Sequence, residues 1–131
     1  MRKIIITSLL SLSTSVLAGE VPEEFLGEWV PKRMSCESPL RMIVKPNHVI
    51  LQSDMKRKYY GNLDICYSCA GGSKYDGRQV WVHTEFFSET ATGFVIMFND
   101  NERKGIAKIQ DIQDVDLKHF PLNNVDLKKC K

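Results

Sequence analysis

The sequence lacks the short motifs that are typical of common enzymes and of membrane proteins. It contains no GxSxG, no HExxH and no Walker loop, and its three histidines are scattered. After the first eighteen residues, no apolar run approaches the ~18 residues of a membrane helix. Asn-x-Ser/Thr sites are also missing, which fits a bacterial source. We therefore predict that the chain is not an enzyme and that it has no catalytic residues.

Helical patterns are scarce as well. No long amphipathic segment is visible, and strand-like segments do not alternate with helix-like ones, which argues against a parallel α/β sheet. Instead, short alternating segments are separated by turn residues such as Pro46-Asn47 and Asn99-Asp100. A repeat, residues 115–118 and 125–128, predicts two more short strands. The strand-like segments cover residues 25–30, 40–45, 48–52, 79–84, 94–98 and 106–110.

This spacing predicts an all-β protein. Seven or eight short strands at intervals of roughly 8–12 residues are typical of a small antiparallel β-barrel or of a β-sandwich. We expect a barrel of about eight strands, with the sandwich as the alternative. Residues 20–25 are expected to form a lead-in or a single helical turn.

The first eighteen residues have the pattern of a cleavable secretory signal. Arg2 and Lys3 form a positive head, residues 4–12 are mostly apolar, and Val16-Leu17-Ala18 places small or branched groups before the cut. Cleavage after Ala18 would leave 113 of the 131 residues, the size of one domain. We therefore predict a signal peptide over 1–18 and a single disulfide-braced β domain over 19–131. The protein would be periplasmic or secreted, with no membrane anchor after cleavage.

Neither basic nor acidic residues are in marked excess. The full chain has 18 basic and 16 acidic residues, and loss of Arg2 and Lys3 leaves 16 of each. A neutral domain lacks the basic footprint of a nucleic-acid-binding protein, so we predict no nucleic-acid partner. The basic clusters at 56–58 and 128–131 are interpreted as a solvated edge and a solvated end.

The four cysteines predict two disulfides and no cofactor. The Cys66-x-x-Cys69 pair is followed by Ala70 and two glycines, which is neither the helix start of a thioredoxin site nor the histidine of a c-type haem site. Cys36 and Cys130 are isolated, whereas a zinc site would need a second close pair, so we predict no metal. Because a direct Cys66–Cys69 bridge would be strained in a β context, we expect each to bond one of the isolated cysteines.

Gly27-Glu28-Trp29 resembles the GxW that opens the first strand of lipocalin-like (calycin) barrels. Small secreted bacterial metalloproteinase inhibitors, which are disulfide-bearing barrels of about this size, share this opening. The resemblance covers residues 25–30 and the general rhythm of strands. It implies a barrel rather than a sandwich, with Trp29 closing one end.

All four tyrosines of the chain lie between residues 59 and 75, among glycines and short polar side chains. Tyrosine offers contact area at low entropic cost, so this stretch predicts a protein-binding surface. We expect an inhibitor or immunity protein that blocks a hydrolase or toxin sterically, with the 20–25 arm as a second contact. The residues expected to bind the partner are Tyr59, Tyr60, Tyr67, Lys74 and Tyr75.

The alternative function is a carrier of a small apolar ligand. A barrel can hold such a ligand if its interior side chains leave space. The residues that would line the pocket are Met42, Trp81, Phe86, Phe87, Phe94, Met97 and Phe98.

Overall fold

The computed structural model describes residues 20–69, 78–86, 93–112 and 119–131. In these ranges the regular elements are nine β-strands and two single 3₁₀ turns, Glu23–Phe25 and Asp100–Glu102. The strands are β1 Gly27–Pro31, β2 Arg41–Val44, β3 Val49–Gln52, β4 Arg57–Tyr60, β5 Asp64–Cys66, β6 Val80–His83, β7 Val95–Phe98, β8 Ile106–Gln110 and β9 Asp126–Cys130. None of the helical turns in the described ranges is long and apolar enough to cross a membrane.

The nine strands form one antiparallel sheet with the order β4-β3-β2-β1-β9-β8-β7-β6-β5. The first four strands form one meander, β5 to β8 form another, and β9 joins the two by pairing with both β1 and β8. The predicted antiparallel all-β class is confirmed. In the described ranges the strands number nine rather than about eight, and the sheet that they form is an open half-barrel whose edges are β4 and β5.

The sheet curls around one core because alternate residues of its strands are apolar and point to the same side. Tyr60 at the β4 edge meets Phe94 beside β7 with ring centroids 4.8 Å apart, although five strands separate them in the sheet order. Trp29 is 1 % exposed, and its indole N–H donates to the Phe25 carbonyl at 3.0 Å. Phe98 packs against both rings, at 4.5 Å from Phe25 and 5.4 Å from Trp29. This cluster fills one end of the half-barrel.

The predicted disulfide pairing is wrong. Cys36 bonds Cys130, and Cys66 bonds Cys69, with Cα–Cα distances of 5.7 and 5.5 Å. Three residues of extended strand would separate two Cα atoms by about 10 Å, beyond disulfide reach. However, β5 ends at Cys66 and the chain turns there, which brings Cys69 back. The loop after β1 returns Cys36 to β9, where Cys130 lies opposite Glu28.

The predicted helical turn, the turn at Asn99 and one copy of the repeat lie within the described residues. The 20–25 segment does contain one helical turn, and the segment at Asn99 does connect a hairpin, β7 to β8. The second copy of the repeat does contain a strand, β9, in which Leu127 is buried, while Val125 just before it is half-buried. The first copy, residues 115–118, lies outside the described residues, and so does the predicted signal peptide.

Candidate functional site

The exposed large apolar side chains of the described residues lie on the edge strands or in the segments joined to them. Met55 is in the turn before β4, and Tyr59 is on β4 itself. Tyr67 directly follows β5, and Phe86 follows β6, the neighbour of β5. Their exposed fractions are 79 % for Met55, 61 % for Tyr59, 56 % for Tyr67 and 54 % for Phe86. We call these four residues, three aromatic and one a methionine, the edge aromatic surface.

Tyr59 is held on the outer side of the sheet by the alternation of β4. Arg57 and Tyr59 are exposed, whereas Tyr60 is in the core. The Tyr59 ring stacks on His48 with centroids 4.6 Å apart. It also lies over Gly61, where an added Cβ would be only 3.2 Å from the ring carbon Cε1. The position of this exposed ring is therefore fixed by neighbours on both sides.

The structure separates the predicted partner-binding residues. Tyr59 and Tyr67 are exposed, but Tyr60 is 1 % exposed and packs against Phe94, so it cannot contact a partner. The clustering of tyrosines between residues 59 and 75 does not distinguish Tyr60 from Tyr59, whereas strand alternation places their side chains on opposite faces. Lys74 and Tyr75 lie outside the described residues.

Sequence reasoning missed Met55 and assigned Phe86 to an interior pocket. Met55 lies between Asp54 and a basic run, and no periodic pattern of the sequence distinguishes it. Phe86 follows Glu85, whose backbone φ of 53° ends the alternation of β6. A left-handed residue after a strand redirects the next side chain, and the sequence does not signal such a residue when it is glutamate.

A hydrogen-bonded corner joins the segment that follows β6 to the connection between the edge strands β4 and β5. The Glu85 carboxylate accepts from the Gly61 backbone N–H at 2.6 Å and from the Asn62 amide at 3.4 Å. The Glu85 and Phe86 backbone N–H groups donate to the carbonyls of Gly61 and Asn62 at 2.8 and 3.0 Å. These four bonds fix Phe86 relative to β4 and β5, and the Cys66–Cys69 disulfide fixes the turn that carries Tyr67.

His83 lies on the outer face beside this corner. It pairs with Asp64 across β5 and β6, with 3.9 Å between its Nδ1 and the nearer Asp64 oxygen. The Phe86 ring lies 5.7 Å from the imidazole. Nδ1 is buried and has no hydrogen-bond partner in the described part of the chain. At 3.9 Å the imidazole and the carboxylate are too far apart for a hydrogen bond.

A charged network braces β9 on the other side of the molecule. Arg103 forms two hydrogen bonds with the Asp126 carboxylate, at 2.7 and 2.9 Å, and a longer one with Asp100 at 3.3 Å. These bonds lower the pKa of Asp126 from 3.8 to about 2; partial burial opposes the shift, and the charges of Arg103 and Lys108 reinforce it. An open groove of about 600 Å³ runs beside the network, with Lys32 and Arg33 on its wall. The network neutralises most of its own charge, so it is best explained as structural support.

The residues predicted to line a carrier pocket do not gather around a void. Met42, Phe94 and Phe98 are buried in the packed core. Trp81 and Met97 are paired neighbours on β6 and β7 and lie outside that core cluster. Phe86 is exposed, and Phe87 lies outside the described residues. A pocket of about 200 Å³ opens at the Trp29 end, with Phe25, Lys104 and Lys129 on its wall.

Within the described ranges, no three histidine, cysteine, aspartate or glutamate side chains come close enough to hold a metal ion. Comparison with known proteins gives no further assignment, because no protein family, curated protein or solved structure matches this chain. The edge aromatic surface and its corner are therefore the candidate site, on geometry alone.

Proposed function

We propose that this protein is an exported binding module that recognises another protein, a hydrolase or toxin, and blocks it sterically as an inhibitor or immunity protein does. The observation that carries this proposal is that the four exposed large apolar side chains of the described residues lie on the edge strand β4 or in segments beside the two edge strands. Aromatic residues dominate the energetics of protein interfaces, because their rings bury a large area. Single apolar residues scattered over a surface would need no explanation, whereas four that all lie on or next to the edge strands do.

Rigidity of the surface supports the same function. Phe86 is fixed by the hydrogen bonds of the corner, Tyr59 by its contacts with His48 and Gly61, and Tyr67 by the Cys66–Cys69 turn. A surface that is ordered before binding loses less conformational entropy on association, and therefore binds more tightly for the same area. This is the property that a steric inhibitor needs.

The proposed location is the periplasm or the extracellular medium. Two disulfides per chain are compatible with an oxidising compartment, and residues 1–18 have the composition of a secretory signal. We also propose that the open half-barrel is related in plan to lipocalin-like barrels. The Gly27-x-Trp29 opening and the burial of Trp29 at one end support this relation.

The carrier alternative has less support. Pockets for small ligands commonly measure about 300–1,000 Å³ and are lined by apolar side chains. The pocket at the Trp29 end has a volume of about 200 Å³ and is lined partly by Lys104 and Lys129. A ligand there would displace the packed Phe25 and Trp29 rings or remain largely in solvent.

Native mass spectrometry tests the proposed function. The protein is isolated gently from the envelope and secreted fractions of its source, and we expect a stoichiometric complex with a second protein. The same isolation is repeated with Tyr67→Ala, with Phe86→Ala, and with Glu37→Ala, an exposed control in the loop after β1. We expect the first two variants to lose roughly tenfold or more in affinity and the control to bind normally. A bare chain, or full binding by both aromatic variants, would contradict the proposal, and a bound mass of a few hundred daltons would favour the carrier.

A further inference from the structure

The outer edge of β4 presents backbone groups that pair with nothing in the described ranges. The Ser53 N–H donates to the Lys56 carbonyl at 2.8 Å, and this bond fixes which of the residue pairs that follow along β3 and β4 are hydrogen-bonded. Backbone groups of an antiparallel strand point alternately toward and away from the neighbouring strand. Lys58 and Tyr60 therefore bond β3, while the N–H and C=O groups of Arg57 and Tyr59 point to the open side.

The second edge of the sheet offers much less. The Thr84 N–H donates to the Phe94 carbonyl at 2.9 Å, so the backbone of Thr84 and Val82 faces β7. By the same alternation, His83 and Trp81 bond Asp64 and Cys66 of β5. Of the three residues of β5, this leaves only Ile65 with backbone groups on the free side. An added strand could form twice as many pairs with β4 as with β5.

The charge of β4 restricts what can pair with it. Residues 56–58 are Lys-Arg-Lys, and Asp54 is the single acid in the turn that precedes them. The Arg57 side chain is exposed and forms no ion pair within the described residues. A second copy of this chain would bring a second exposed Arg57 against the first one, and like charges on paired strands are destabilising. An acidic strand would gain both the ladder and the charge pairing.

We propose that the open edge of β4 binds an extended acidic segment of a partner protein by β-strand addition. Backbone hydrogen bonds from Arg57 and Tyr59 supply affinity, and opposite charge at Arg57 selects acidic residues. The exposed Tyr59 ring, which stacks on His48, packs against a side chain of the added strand. This inference rests on the proposed protein-binding function and names the recognition mode at the same surface.

The probe is a nine-residue peptide with capped ends in which glutamate alternates with valine or isoleucine. Binding to the full oxidised protein is followed by amide shifts in nitrogen-15 NMR. We expect the largest shifts at the Arg57 and Tyr59 amides, and slower hydrogen exchange of both. Two further peptides are controls: one carries lysine in place of each glutamate, and one carries N-methyl groups on every backbone nitrogen of its central residues, which blocks both edges of the added strand. Neither control peptide should bind, because one reverses the charge and the other cannot complete the ladder.

Variants of the protein separate the two contributions. Arg57→Glu should weaken binding roughly tenfold, whereas Arg33→Glu, the same charge change at an exposed site in the groove, should change it less than about twofold. Arg57→Pro removes an N–H that points away from β3, so it should leave the sheet intact and abolish binding. If Arg57→Pro does not fold, the N-methylated peptide gives the same information with the unmodified protein.

Three outcomes would overturn the inference. The first is that about 1 mM of the acidic peptide leaves the Arg57 and Tyr59 amide signals unshifted. The second is that the N-methylated peptide binds as tightly as the unmethylated one. The third is that the protein sediments as a dimer in which the Arg57 and Tyr59 amides are already protected from hydrogen exchange. The proposed function is judged separately, by the Tyr67→Ala and Phe86→Ala complexes. If both variants lose the complex while the peptide leaves the Arg57 and Tyr59 amides unshifted, the protein binds a partner by its aromatic side chains alone.

Discussion

The two disulfides should contribute very differently to stability, because they close loops of very different length. Cys36 and Cys130 are 94 residues apart, whereas Cys66 and Cys69 are 3 apart. The perturbation is a pair of double variants, Cys36→Ser with Cys130→Ser and Cys66→Ser with Cys69→Ser. Each removes one bridge and two sulfur atoms, so each serves as the chemical control of the other.

The magnitude follows from the entropy that each bridge removes from the unfolded chain. The loop-closure relation gives about 4.7 kcal/mol for the Cys36–Cys130 loop and about 1.9 kcal/mol for the Cys66–Cys69 loop at 25 °C. A small domain is stable by about 5–15 kcal/mol in total. Loss of the long-range bridge is therefore expected to bring the protein close to unfolding, whereas loss of the local bridge leaves it clearly folded.

Urea unfolding followed by tryptophan fluorescence measures both effects, since Trp29 is buried among aromatic rings and becomes solvated on unfolding. Substitution is preferable to a reducing agent, which would open both bridges together. The unfolding free energy is expected to be highest for the parent, lower for the Cys66/Cys69 variant and lowest for the Cys36/Cys130 variant. The difference between the two variants should exceed the difference between the parent and the Cys66/Cys69 variant. Equal losses, or a larger loss for the Cys66/Cys69 variant, would refute the argument from loop length.

Two further predictions concern the core and the charged network. Trp29→Ala should cost about 3–5 kcal/mol of unfolding free energy, because it empties a buried site. Trp81 is half-buried on β6 and lies outside the core cluster, so Trp81→Ala should cost less than half as much. Equal losses of unfolding free energy in urea would contradict the assignment of the two tryptophans to different faces of the sheet. The pKa of Asp126 in the folded protein is about 2, below its ordinary 3.8, so its contribution is fully present above about pH 4 and is lost as the pH falls toward 2. Because Arg103 and Asp126 are partly exposed, we expect about 1 kcal/mol, measured as a difference between the parent and Asp126→Asn that is present at pH 6 and vanishes near pH 2; a difference that persists at pH 2 would show that the hydrogen bonds do not depend on ionisation.

The strands with clean alternation could be predicted from the sequence. Segment 106–110 alternates, with Ala107 and Ile109 buried, and the structure places a strand there. Segment 94–98 is apolar at every position, which is typical of a strand buried on both faces, and it contains β7. β4 was harder, since Arg57-Lys58-Tyr59-Tyr60 has only one core residue and its charge is typical of a solvated segment. An edge strand needs only one neighbour, so its sequence is less constrained by burial than that of a central strand.

The candidate site could be predicted only in part. The tyrosine-rich stretch led to Tyr59 and Tyr67, but alternation along β4 removes Tyr60 from the surface. Phe86 reaches the same surface only because the corner at Gly61 and Glu85 brings β6 beside the end of β4. That contact joins residues 24 positions apart, and no local pattern encodes it. The disulfide pairing failed for a similar reason, since it depends on where β5 ends.

The central position of β9 also determines when the protein can fold. Residues 126–130 fill the place between β1 and β8, so the two meanders have no shared sheet until this last segment is available. The β1–β9 pairing joins positions about a hundred residues apart, and such non-local topology is associated with slow folding. During synthesis the chain therefore remains without its central strand while most of it has already emerged. For an exported protein, which is what we propose this chain to be, that delay would keep the polypeptide unfolded while it is threaded through a translocation channel.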